Sequence, residues 1–195
     1  MAARRRIARA EDDSPVLPRI VERKPAPGES HPLPKRALQA LLPKLPVEYL
    51  YGLKRIELHA SRKDTPFGEY RISERVIFLY LLPMRMGFPT LDGELRRSLR
   101  QFKANIKKAR LGYLISWPDG VARTLWFYSY VFTHELGHHF VEQYKNKNSR
   151  VFSRKNEELI ADLHARRFTE EVMAVYERFA AKTLEDAALA DALGK

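Results

Sequence analysis

The chain of 195 residues is 45% apolar and 30% charged, the balance of a folded domain able to bury a sizeable core, and 35 Lys/Arg against 24 Asp/Glu give it a formal charge of +11. No apolar run approaches the roughly 18 to 20 residues needed to cross a bilayer, the longest stretch being Val76 to Leu82, so a membrane-spanning protein is excluded. Cysteine is absent, which removes disulfides, thiolate metal sites and a cysteine nucleophile and leaves His, Asp and Glu to hold any metal.

In chain order, residues 1–36 contain half of the 12 prolines and form a basic, Pro-rich arm, flexible or docked on the surface, ahead of a domain over 37–195. The arginines near Met1 are followed by Glu11, Asp12 and Asp13 rather than by an apolar stretch, so Sec-type secretion is not expected and a cytoplasmic location is. A short helix is predicted from Lys35 to Leu42, stopped by Pro43 and Pro46. Leu53 to His59 and Tyr70 to Tyr80 read as two strands joined by a turn with Asp64, Pro66 and Gly68, which predicts an antiparallel pair. Leu91, Leu95, Leu99, Phe102 and Ile106 recur at helical spacing and predict a basic amphipathic helix over 91–111, closed by Gly112. Tyr113 to Trp117 is a further strand, and a helix from about Val121 to Tyr144, apolar on nearly every side, is central and buried. A polar loop near 145–149 precedes a third long helix over roughly 153–182 and an alanine-rich tail. The fold class is α+β, with a small antiparallel sheet packed against helices.

The buried helix carries His134-Glu135-Leu136-Gly137-His138, an H-E-x-x-H pattern. Four residues make slightly more than one turn, so both imidazoles share a face at a separation suited to one zinc ion, while Glu135 stands off that face and can reach a water on the metal. Tyr144 occupies the place where a longer H-E-x-x-H-x-x-G-x-x-H pattern has its last histidine, so the third ligand lies elsewhere. On the third helix Glu158 and Asp162 are four apart and share a face, which makes Glu158 a candidate ligand and Asp162 the acceptor for the free ring N–H of a liganding histidine. Glu157 and His164 are competing choices on a neighbouring face.

His134 to His138, followed by Glu158-x-x-Ala161-Asp162, resembles the gluzincin zinc metallopeptidases. The longer run His134 to His139 with Glu158-x-x-Ala161-Asp162-x-x-Ala165-x-x-Phe168 is similar to the ImmA/IrrE type of small intracellular metallopeptidase, which cleaves repressor proteins. The resemblance spans about 35 residues and implies a zincin-like fold, one Zn²⁺ per chain on His134, His138 and Glu158, Glu135 as the base, and a protein or peptide substrate laid along an edge strand, for which Arg75 to Tyr80 is the candidate. Candidates for the oxyanion donor are His164, Tyr144, Arg166 and Tyr130.

The positive charge is concentrated in residues 1–36 (+4), 91–111 (+5) and 145–155 (+5), leaving the remainder at −3. The segments 91–111 and 145–155 predict a nucleic acid or an acidic protein as partner, and no membrane. Two alternatives follow. One is a SprT-like protease acting on DNA-bound proteins; the other is a non-catalytic DNA- or protein-binding module with a structural zinc, which has no use for Glu135.

Overall fold

The computed structural model describes residues 17–25, 30–60, 67–145, 156–163 and 166–167. The elements among these residues run in the order β1 (Arg19–Glu22), α1 (Lys35–Leu41), a 3₁₀ turn (Leu42–Lys44), α2 (Val47–Leu50), β2 (Arg55–His59), β3 (Gly68–Arg71), β4 (Val76–Tyr80), β5 (Arg85–Phe88), α3 (Gly93–Gln101), β6 (Asn105–Ala109), β7 (Gly112–Ser116), α4 (Gly120–Trp126), a π-helical segment (Phe127–Phe132) and α5 (Thr133–Lys145). Residues 156–163 add a further helical segment. The α+β class holds, and no helix among the described residues is long and apolar enough to cross a membrane.

Two sheets replace the single small antiparallel one expected. The first has strand order β1-β2-β4-β3 and is mixed, since β1 and β4 run parallel to β2 while β3 is antiparallel to β4. The stretch from Tyr70 to Tyr80 is thus a hairpin, not one strand. Its turn falls at Ile72-Ser73-Glu74-Arg75, where Arg75 takes φ 56° and its N–H donates to Arg71 O at 2.8 Å. The strand leaving that turn slots between β2 and β3, so β2 and its sequence neighbour never pair. Within the arm, Arg19 to Glu22 is an edge strand in register with Arg55 to Leu58.

The second sheet, β5-β7-β6, is antiparallel throughout. It takes up the second half of the segment expected to be one helix over 91–111. Asp92 caps α3 by accepting from the N–H groups of Glu94 (2.9 Å) and Leu95 (2.7 Å), but after Phe102 the chain turns through Lys103 at φ 59° and continues as β6. Gly112 is not a helix stop. It closes the two-residue loop of the β6–β7 hairpin at φ 130°, where a Cβ would lie 2.1 Å from Phe88 O.

Asp119 caps the long central helix by accepting from Ala122 N–H at 2.7 Å, and α4, the π segment and α5 follow without a break. Trp126, Phe127, Phe132 and Leu136 are fully buried and pack against Ile56, Leu58, Ile77 and Leu79 from the first sheet. Ile115 and Leu99 join the same core from the second sheet and α3, and Trp126 Nε1 donates to Ser98 Oγ at 2.7 Å. One continuous core thereby fixes the helix against both sheets.

Candidate metal centre

Spacing of four along α5 puts His134 and His138 on one face, with their rings edge to face at 4.6 Å and their Nε2 atoms 3.0 Å apart. Glu158 brings its Oε2 to 3.6 Å from each Nε2. Ligand atoms about 2.05 Å from an ion at tetrahedral corners stand about 3.3 Å from one another. The observed edges of 3.0, 3.6 and 3.6 Å bracket that value, so the donor set fits a small tetrahedral cation. His134, His138 and Glu158 are the one such group among the described residues; Glu157, next along, is not a member.

Close approach of two helices makes the group possible. A Cβ at Gly137 would fall 2.7 Å from Ala161 Cα and 2.8 Å from Ala161 O, and Ala161 is itself fully buried. Two positions without bulk therefore let the 156–163 segment cross α5 at the turn that carries both histidines. Asp162, one turn beyond Glu158, holds Oδ1 2.9 Å from His134 Nδ1. A carboxylate only accepts, so Nδ1 carries the hydrogen and the Nε2 lone pair faces Glu158 and His138.

Burial lowers the proton affinity of both imidazoles. At His134 the hydrogen bond to Asp162 and the charges of Glu135, Asp162 and Glu158 outweigh it and leave the pKa raised, whereas at His138 burial and the charge on His134 leave it lowered.

Glu135 is buried on the flank of this face, against the edge of the first sheet. Desolvation pushes its carboxyl up to about 7, with Glu158 and Glu69 adding to the shift and His134 and the backbone N–H of Tyr70 opposing it. The approach again depends on a missing side chain, because a Cβ at Gly68 would lie 2.8 Å from Glu135 Cγ and 2.9 Å from Val131 Cγ1. Tyr80 N–H donates to Phe67 O, and the register then turns the backbone groups of Glu69 and Arg71 toward β4 and those of Gly68 and Tyr70 outward. The free edge beside Glu135 is therefore β3. Arg75 to Tyr80 does not fill that role, since Val76 to Tyr80 is β4, paired on both sides by β2 and β3.

His139, buried behind the ligand pair, ties these elements together. Its Nε2 donates to Tyr51 O at 3.1 Å, and its Nδ1 accepts from the Tyr70 hydroxyl at 2.9 Å. Burial holds that hydroxyl up at about 12, so it stays protonated and donates. Gln143, one turn on, also donates to Tyr51 O. Tyr70 thus meets α5 twice, through its side chain at His139 and its backbone at Glu135. Neither contact was anticipated from sequence. The doubled histidine after the motif was the visible sign of the first, and a backbone N–H leaves none.

Of the residues expected to face an oxyanion, Tyr130 lies one turn before His134, stacked on Trp126 at 5.2 Å, with its hydroxyl pushed up to about 12 by burial and by the charges of Asp162 and Asp92. Arg166 is turned to Glu94, with which it forms an ion pair. His164 and the side chain of Tyr144 lie outside the described residues, as do the segment 146–155 and most of the predicted third helix. Compared with protein-family models, with curated proteins and with solved structures, the chain matches none.

Proposed function

We propose that the chain is a zinc-dependent endopeptidase of the zincin-like type that hydrolyses peptide bonds of an intracellular protein, with a repressor or other regulator as the substrate class implied by its resemblance to the ImmA/IrrE metallopeptidases. The observation that carries this reading is the convergence of His134 Nε2, His138 Nε2 and the Glu158 carboxylate within 4.8 Å, with a buried carboxyl, Glu135, on the flank of the same face. A structural zinc accounts for the first half of that arrangement and not for the second.

Zinc, when bound by these three residues, polarises a scissile carbonyl and makes water acidic enough to ionise near neutral pH. Glu135 takes the proton of the attacking water and passes it to the leaving amine. Asp162 keeps the His134 ring in the tautomer and orientation that direct Nε2 at the ion. An extended substrate pairs with the outward carbonyl of Tyr70 on this edge, whose N–H already holds Glu135, and this sets its scissile bond beside Glu135.

Elemental analysis and cleavage of a panel of unstructured proteins test the reading. The parent carries about one zinc per chain, and Glu158→Ala loses it while Glu157→Ala does not. Glu135→Gln keeps the metal and its melting temperature, and its turnover falls by about 10² or more, the lower range for loss of a positioned base. Normal zinc content with undiminished cleavage in Glu135→Gln would sink the peptidase reading.

A further inference from the structure

From Leu95 to Pro118 the chain contains no Asp or Glu, and the second sheet and α3 turn that bias into a surface. The register of β5-β7-β6 places Arg85, Ser116 and Asn105 in one rung across the sheet, and Gly87, Leu114 and Lys107 in another on the same face. The opposite face bears Met86, Phe88, Ile106 and Ile115 and packs on the core. Among the described residues nothing packs on the first face. Arg85, Lys107, Asn105 and Leu114 are exposed on it, and around Gly87 nothing would lie within 4 Å of an added Cβ. Arg85 and Lys107 stand about 12 Å apart at Cα, from two strand spacings and two residues of rise.

Further cations continue round the edge strand β6. Lys108 and Arg110 are exposed at its end and at the hairpin tip, and Lys103, Arg97 and Arg100 are exposed at the end of α3 and along it. None of these residues forms an ion pair among the described residues. The acids nearest in sequence are already engaged, with Glu94 paired to Arg166 and the carboxylates of Asp92 and Asp119 each capping a helix.

We infer that this surface binds the phosphodiester backbone of a nucleic acid, independently of the reading of the metal centre. The cations occupy the open face, the edge and the helix side of the sheet, so no single plane collects them, as docking on a bilayer requires. A protein partner needs apolar anchors at the centre of its contact; the open face offers Leu114, and the other exposed apolar side chain nearby, Leu111, lies out at the hairpin tip. Phosphates need only cations and polar donors, which Arg85, Lys107 and Asn105 supply. No aromatic side chain stands on the open face for bases to stack on, so binding is indifferent to sequence and strongly dependent on salt.

Fluorescence anisotropy of labelled mixed-sequence oligonucleotides, single-stranded and duplex, tests this on the full chain. Binding in the micromolar range is expected at about 50 mM salt, weakening steeply toward about 200 mM. The triple variant Arg85→Ala, Lys107→Ala, Arg110→Ala should bind at least about tenfold more weakly and flatten the log–log salt slope by about two to three, one unit per lost phosphate contact. Its melting curve should match the parent's, since all three side chains are exposed. Neutralising Arg4, Arg5 and Arg6 to Ala should change affinity far less, and Glu135→Gln should bind as the parent does. The inference is overturned if neither oligonucleotide binds, if the arm variant loses binding and the sheet variant keeps it, or if polyglutamate or anionic lipid vesicles bind more tightly than the oligonucleotides.

Discussion

In the proposed zinc site Asp162 acts without being a ligand. Its hydrogen bond to His134 Nδ1 at 2.9 Å decides which ring nitrogen keeps its lone pair. Such outer partners are worth about 10- to 100-fold in metal affinity. Asp162→Ala should therefore raise the zinc dissociation constant by that factor in a chelator competition, while Asp162→Asn, which keeps an accepting oxygen, should lie between the two. Equal affinity in all three would mean that the ring is held by packing. The residue on this helix that contacts the group was legible because Glu158 and Asp162 are spaced like His134 and His138. Tyr70 was not legible, because its part near Glu135 is played by its main chain.

At the scale of elements, the decisive contact is the crossing of α5 by the 156–163 segment. The atoms facing Gly137 belong to the Ala161 main chain, which cannot swing aside as a flexible side chain would. Gly137→Val should separate the helices, abolish stoichiometric zinc binding and cost about 1 to 3 kcal/mol, seen as a drop of several degrees in melting temperature. Retained zinc at full stability would show that the crossing has slack. Legibility at this scale was uneven. The central helix and the short helix before Pro43 were visible in local pattern, whereas the caps at Asp92 and Asp119 emerge only in the fold. The helix expected over 91–111 was half right, because Ile106 continues the apolar spacing of Leu95 and Leu99 while a residue at positive φ, Lys103, breaks it. Pairing with β7 then claims the rest. Likewise nothing local in Tyr70 to Tyr80 says that β4 will slot beside β2, since strand order is settled by which faces bury together.

The whole molecule reveals its acid limb on the side of the first sheet away from the core. Glu57 is buried there in the middle of β2, with Arg55 Nε at 2.6 Å, His59 Nε2 at 2.9 Å and Arg23 at 3.8 Å. Burial alone would raise its pKa, but the hydrogen bonds from His59 and Arg55 and the charge of Arg55 hold it below the ordinary carboxylate value of 4.5. A carboxyl with a depressed folded pKa adds stability above its unfolded pKa and loses that contribution as the pH falls through the folded one. Glu57→Gln should accordingly be less stable than the parent at neutral pH, and the gap in denaturant midpoint should close below about pH 4.5, where the unfolded-state carboxyl begins to take up protons. A gap that stays constant across that range would assign the effect to shape.

The π-helical segment from Phe127 to Phe132 makes the central helix a two-part instrument with an adjustable phase. Upstream, α4 is indexed by its cap at Asp119 and by Trp126 in the core; downstream, α5 is indexed by the crossing at Gly137. A wide turn carries roughly one surplus residue relative to α-helical winding, and one residue corresponds to about 100° of rotation. The surplus works as a vernier between two independently anchored dials. Core and histidine motif each keep their own bearing, and the junction absorbs the difference. A chain one residue shorter there would keep every letter of the histidine motif and aim it at the wrong wall.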